Sequence, residues 1–339
     1  MMIQQSKTLE LIFSVKIFFL SFVILILFCG NSTQAQQKPL LQRVREAAKN
    51  HSSTNKITVY YSPQYEKKAL ELRSMLEDMM LYFNNKLKVK MHFTLAVLDE
   101  QQWNRVVNTM QRRDIFMLEM EKPSGLEPFS VPYGIPLSST PPNIVFIPAT
   151  ANNQPTKNVL SVKSTAPEFV LKVIKANKLS YEEAAEKMPN LIGFHEIGHN
   201  YVDEYGIHAT NPWLREFLAH YFAYAFLSKK YPKTARLFFA LHEALIAGIK
   251  PKHTSLADLN NLSTRVGAEN YGWYQAQLLR MVARVYKKKG FSFITEMKNA
   301  FPASEKDSVN MEAGLQRLEK IYPGFIEWAK DLRKSKFNG

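Results

Sequence analysis

An α+β fold is predicted, and three observations predict it. Strand-like runs rich in β-branched and aromatic residues gather before residue 150, and helical periodicity takes over almost entirely after residue 166. No internal repeat, low-complexity tract or long linker separates the two regions. With 339 residues, 46% of them hydrophobic, the chain is long enough to bury a large core or two packed subdomains. The expected organisation is an N-terminal α/β lobe over 36–165 and a helical lobe over 166–339, the two forming one unit.

Residues 1–35 read differently. Lys7 and Lys16 precede an apolar run from Ile17 to Cys29, and Thr33-Gln34-Ala35 then places small residues at the −3 and −1 positions of a cleavage site. This pattern predicts a secretory signal peptide removed after Ala35, since a membrane-spanning helix needs about 20 apolar residues. The protein is accordingly expected to be secreted or periplasmic. Beyond Cys29 there is no cysteine, so stability in an oxidising compartment has to come from packing or a metal rather than disulfides.

In the N-terminal lobe, "KITVYY" (56–61), "KMHFTLAVL" (90–98) and "NIVFIPA" (143–149) read as strands. Apolar residues at helical spacing from Tyr65 to Lys86 predict a helix between the first two. Proline and glycine density from Lys122 to Pro142 argues for a loop or an irregular edge strand, with Tyr133-Gly134 in "VPYGIP" placed either at a substrate-binding edge or in a plain turn. From Ala166 onward, segments 167–177, 180–187, 190–204, 212–229, 232–247, 270–289, 291–300, 308–320 and 325–334 each carry an apolar face.

The segment "LIGFHEIGHNYVDEYG" (191–206) carries the chemistry. On a helix, His195 and His199 are separated by about 400° of rotation, so both imidazoles project from one face, one turn apart, where they can share an ion. Glu196 sits about 100° round from His195, within reach of a water at that ion without competing as a ligand. Gly206 is placed to end this helix as a left-handed cap, and Asn211-Pro212 to begin another, so the two helices are expected to run antiparallel. His199 lies roughly 9 Å before the end of the first helix and Glu216 roughly 6 Å into the second, at nearly matching height. A zinc site with three protein ligands and an open position is completed by Glu216. Asp203 continues the histidine stripe but would crowd a third ligand onto one helix, Glu204 points elsewhere, and Tyr205 stands where a metzincin requires histidine.

"HEIGH" followed by "WLREFLA" (213–219) resembles the gluzincin metallopeptidases, in particular their peptidase MA-like and aminopeptidase N-like branch. A looser similarity runs through "YGWYQAQLLRMVARVYKKKG" (271–290) to that family's tyrosine-bearing helix. The resemblance implies a zincin-like metallopeptidase fold and a zinc-dependent hydrolase of peptide bonds acting on peptide or protein substrates. It assigns zinc ligation to His195, His199 and Glu216, the general base to Glu196 and transition-state stabilisation to Tyr274, with Tyr271, three residues away, as the rival donor. Phe217 replaces the glycine usual in the family, and no segment for holding a free amine precedes the motif, so exopeptidase specificity does not carry over.

Other residues read more plainly. His220, one turn after Glu216, is placed either to hydrogen-bond the ligand residues or to pack as a core histidine. His208 and His242 read as structural or surface residues, and Trp213 as a core anchor. A formal net charge of +14 favours association with acidic cell-envelope components, but no aromatic-interleaved basic module for nucleic acid accompanies it. A catalytically silent zincin-like domain, binding envelope polymers or a protein partner through this basic surface, is the alternative. The presence of Glu196 argues against it, because pure binding needs no general base.

Overall fold

The parallel centre of the sheet follows from three apolar runs. The computed structural model describes residues 38–107, 136–139, 143–305 and 307–334; the expected signal peptide over 1–35 and the Tyr133-Gly134 pair lie outside them. Strands β1 (Asn50–Ser53), β2 (Ile57–Tyr61), β3 (Phe93–Leu98), β4 (Leu137–Ser138) and β5 (Ile144–Pro148) form one sheet in the order β1-β2-β3-β5-β4. β2, β3 and β5 are mutually parallel, while β1 and β4 lie antiparallel on the two edges. The three inner strands are buried along nearly their whole length, as parallel strands covered on both faces must be.

Alternation of side chains divides these strands between two cores. Ile57, Val59, Phe93, Leu95, Val97, Val145 and Ile147 enter the main core, and Tyr60, Ala96, Leu98, Ile144 and Phe146 enter a smaller one on the opposite face. The smaller core is closed by α1 (Leu40–Ala47) and α3 (Glu100–Val106) through Val44, Trp103 and Val106. The main core is covered by α2 (Glu66–Leu87), which buries Leu72, Leu76, Met79 and Phe83, and by the helices that follow β5.

Those helices are α4 (Gln154–Ser161), α5 (Glu168–Ala176), α6 (Tyr181–Glu186), α7 (Met188–Glu204), α8 (Pro212–Lys230), α9 (Pro232–Gly248), α10 (Leu256–Leu262), α11 (Ala268–Lys289), α12 (Ser292–Ala300), α13 (Met311–Ile321) and α14 (Phe325–Lys334). The architecture is α+β and mostly helical, with one small mixed sheet. Leu40–Gly339 forms one compact unit. No described helix is long and apolar enough to cross a membrane.

Two features place α7 and α8 against each other. Gly206, at φ 78°, ends α7: its amide donates to the Asp203 carbonyl and the next amide, Ile207, to that of Val202, the paired bonds of a left-handed cap. α8 begins at Pro212, as its sequence predicts, but the Asn211 side chain does not cap it. Asn211 Nδ2 instead donates to the Val309 carbonyl at 2.7 Å, tying the start of α8 to the segment before α13. Gly198 then permits close approach of the helices, since a Cβ there would lie 2.4 Å from the Ala219 carbonyl oxygen.

Candidate metal centre

α7 presents His195 and His199 on the face that meets α8, where Glu216 faces them. His195 packs against His220 and His199 approaches Glu216, so the two helices run in opposite directions. The Nε2 atoms of the two histidines are 3.1 Å apart, His195 Nε2 is 3.1 Å from Glu216 Oε2, and His199 Nε2 is 3.6 Å from Glu216 Oε1. All three side chains are buried, and one ligand atom from each can be chosen within 4.8 Å of the others.

These contacts are difficult to satisfy with protons alone. A neutral imidazole nitrogen either donates or accepts. His195 Nε2 would have to donate to the Glu216 carboxylate while also serving His199 Nε2 at the same distance. A cation among these groups is met by a lone pair from each of them. With metal–ligand bonds of about 2.0–2.1 Å at tetrahedral angles, ligand atoms should be separated by about 3.3 Å; the two imidazole nitrogens stand 3.1 Å apart, and with one Glu216 oxygen taken as the third ligand atom the whole set lies within 4.8 Å. The residues present therefore fit a metal ion, and a set of two imidazoles and one carboxylate suits zinc among other divalent ions.

The electrostatics agree with this arrangement. Burial drives His199 to about 3, so it stays neutral with a lone pair to offer. Burial alone would raise the Glu216 carboxyl, but contacts with His199 and His195 and a hydrogen bond from Gln275 outweigh it and hold it below the ordinary carboxylate range. Glu196 is shifted the other way: burial first, then the neighbouring Glu216 charge, raise it well above the usual value, against a backbone hydrogen bond from Ser138 in β4. Glu196 Oε2 is buried with no hydrogen-bond partner among the described residues.

The two tyrosines separate. Tyr271, on α11, is the one brought beside the cluster; burial first, then the charges of Glu216 and Glu196, raise its hydroxyl well above the ordinary value and keep it protonated. Tyr274 is turned elsewhere, its hydroxyl donating to the Ser255 carbonyl at 2.8 Å. Tyr271, the rival donor, thus lies nearer the cluster than the expected Tyr274, and Gln275, four residues after Tyr271, shares its face of the helix. Asp203 is held by Arg215 at 3.0 Å, away from the ligands. Trp213 is fully buried and packs on Trp328, while His242 is buried and hydrogen-bonded to the Phe238 carbonyl.

Two further residues belong to the site. Gln275 Nε2 donates to Glu216 Oε2 at 2.7 Å, and His220 Nε2 lies 2.6 Å from Gln275 Oε1. Gln275 was traceable only as the i+4 neighbour of Tyr271; Ser138 was hidden because β4 forms inside the proline-dense segment. Comparison with protein-family models, curated proteins and solved structures finds no match to the chain. Its class is therefore defined by its own fold and site: an α+β protein with a buried His-His-Glu candidate metal centre.

Proposed function

We propose that this chain is an exported zinc-dependent metallopeptidase of zincin-like fold, similar to the gluzincins, that hydrolyses peptide bonds in peptide or protein substrates. The observation that carries the reading is Glu196. A carboxylate buried one residue from His195, with one oxygen unpartnered among the described residues, has a cost that metal binding alone does not require.

His195, His199 and Glu216 would hold the zinc, which would supply Lewis acidity at the scissile carbonyl and a water with its pKa lowered toward about 7. Glu196 takes the proton of that water and returns it to the leaving amine, and its raised affinity for a proton suits both transfers. The Ser138 amide fixes one side of this carboxylate. Tyr271, protonated and beside Glu216, donates to the developing oxyanion. The basic balance, +14 for the whole chain, draws the enzyme toward acidic envelope components, and the same charge is what favours the silent binding domain as the second reading.

Glu196→Gln separates the two. It preserves the side chain's shape and leaves the ligands untouched, but an amide cannot accept the proton. Zinc content should stay near that of the unaltered protein, while cleavage of a diverse peptide library, followed by mass spectrometry, should fall by at least about 10²–10⁴-fold. Ordinary zinc-dependent cleavage by the variant sinks the hydrolytic mechanism. An unaltered protein that binds zinc and cleaves nothing favours the silent domain.

A further inference from the structure

The ligand side chains are held unequally. The His195 ring nitrogen outside the cluster, Nδ1, is buried with no hydrogen-bond partner among the described residues, whereas metal-ligating histidines ordinarily donate from that position to a carboxylate or carbonyl. Support falls instead on Glu216, through Gln275 Nε2 at 2.7 Å.

This contact fixes the next. An ionised carboxylate only accepts, so the Gln275 amide must present its NH₂ to Glu216 and turn Oε1 the other way. There it meets His220 Nε2 at 2.6 Å. Because an amide oxygen also only accepts, His220 carries its proton on Nε2 and leaves Nδ1, buried and unpartnered among the described residues, with the lone pair. One proton arrangement satisfies the whole chain from Glu216 through Gln275 to His220. Its outer end cannot swing freely, since the His220 ring is packed 4.1 Å from that of His195 and 5.6 Å from that of His242, with Phe238 at 6.0 Å.

We propose that Gln275 and His220 are positioning residues: a neutral relay, anchored in the aromatic packing beneath the site, that orients the Glu216 carboxylate toward the point shared with His195 and His199. The relay rests on the reading of this cluster as a metal centre. Its neutrality is functional, because Lys or Arg in place of Gln275 would hold the carboxylate equally well but neutralise the charge that attracts the cation.

Zinc affinity of the purified chain, measured by competition with a chromogenic chelator, should fall about 10- to 100-fold in Gln275→Leu and by a similar factor in His220→Phe. The double variant should lose no more than Gln275→Leu, because His220 acts only through the amide it orients. Visible absorption of the cobalt-loaded protein should shift in all three, a change in ligand geometry that a packing defect elsewhere does not produce. Gln275→Met, which retains the side chain's length, gives the same reading if Gln275→Leu does not fold. If the unaltered chain binds no zinc, the metal centre falls and the relay with it. If it binds zinc and the variants bind equally well, or if the two single losses multiply in the double variant, the relay alone is overturned.

Discussion

The hydroxyls of Tyr271 and Tyr274 end on different partners, and the difference yields a prediction for single atoms. Tyr271 lies beside Glu216, whose charge raises its hydroxyl, whereas Tyr274 donates to the Ser255 carbonyl on the segment entering α10. Tyr271→Phe should lower turnover of a peptide substrate by on the order of 10²-fold with little change in KM, the cost of one donor to a developing oxyanion. Tyr274→Phe should leave turnover within a few-fold and instead cost about 1 kcal/mol in thermal stability, the net worth of one hydrogen bond. Steady-state kinetics and melting curves on the same two variants distinguish the roles, and a loss of turnover confined to Tyr274→Phe would reverse them. Spacing alone left this choice open, because residues three apart on a helix both lie near one face. What decides it is a contact made by Gln275, an amide that no metal-ligand pattern singles out.

At the scale of elements, the centre depends on how closely α7 and α8 approach. Alanine favours a helix over glycine by about 1 kcal/mol, yet at Gly198 a Cβ would meet the Ala219 backbone at 2.4 Å, and backbone cannot rotate aside. Gly198→Ala should therefore destabilise the protein by about 1–3 kcal/mol and weaken zinc binding, because separating the helices carries Glu216 away from the histidines. Gly193→Ala is the control. Its Cβ meets the end of the Ile147 side chain at 2.6 Å, which can change rotamer, so the loss should be smaller and zinc affinity preserved. Calorimetry with a zinc titration on both variants checks the contrast. Long helices bounded by proline were legible in the sequence: the expected 212–229 and 232–247 differ by one residue at their ends from Pro212–Lys230 and Pro232–Gly248. The histidine pair and Glu216 were legible too, from helical phase and height. The two-residue edge strand β4 was legible only as one of two alternatives for 122–142, since pairing with β5 rather than local propensity makes it a strand, and in short helices such as α10 an apolar stripe of two buried residues, Leu256 and Leu259, is too brief to stand out.

For the whole molecule, the centre adds a stability term that depends on pH and on metal. Burial lowers His199 to about 3 and His242 to about 4, and sets His220 well below its ordinary value. An unfolded histidine titrates near 6.5. Between that value and the folded ones, the unfolded chain binds more protons than the folded one, so stability rises with pH across this window and is lost as pH falls through it. Each such group contributes a slope of up to about 1.4 kcal/mol per pH unit. His242 is the cleanest probe, because it is not a ligand and its Nδ1 donates only to the Phe238 carbonyl one turn earlier. In chelator-treated protein, the melting temperature should fall steadily from pH 6.5 toward pH 4, and His242→Phe should flatten that fall by about one proton's worth. Zinc should act on top of this at pH 7: at a free concentration of about 100 Kd it stabilises by about 2.7 kcal/mol, worth several degrees in a chain of this size, and the gain should vanish in Glu216→Ala. A melting temperature independent of pH across the window would mean that the buried histidines are solvated in the folded protein. A zinc shift that survives Glu216→Ala would mean that the cation binds elsewhere, and the geometry of α7 and α8 would need another explanation.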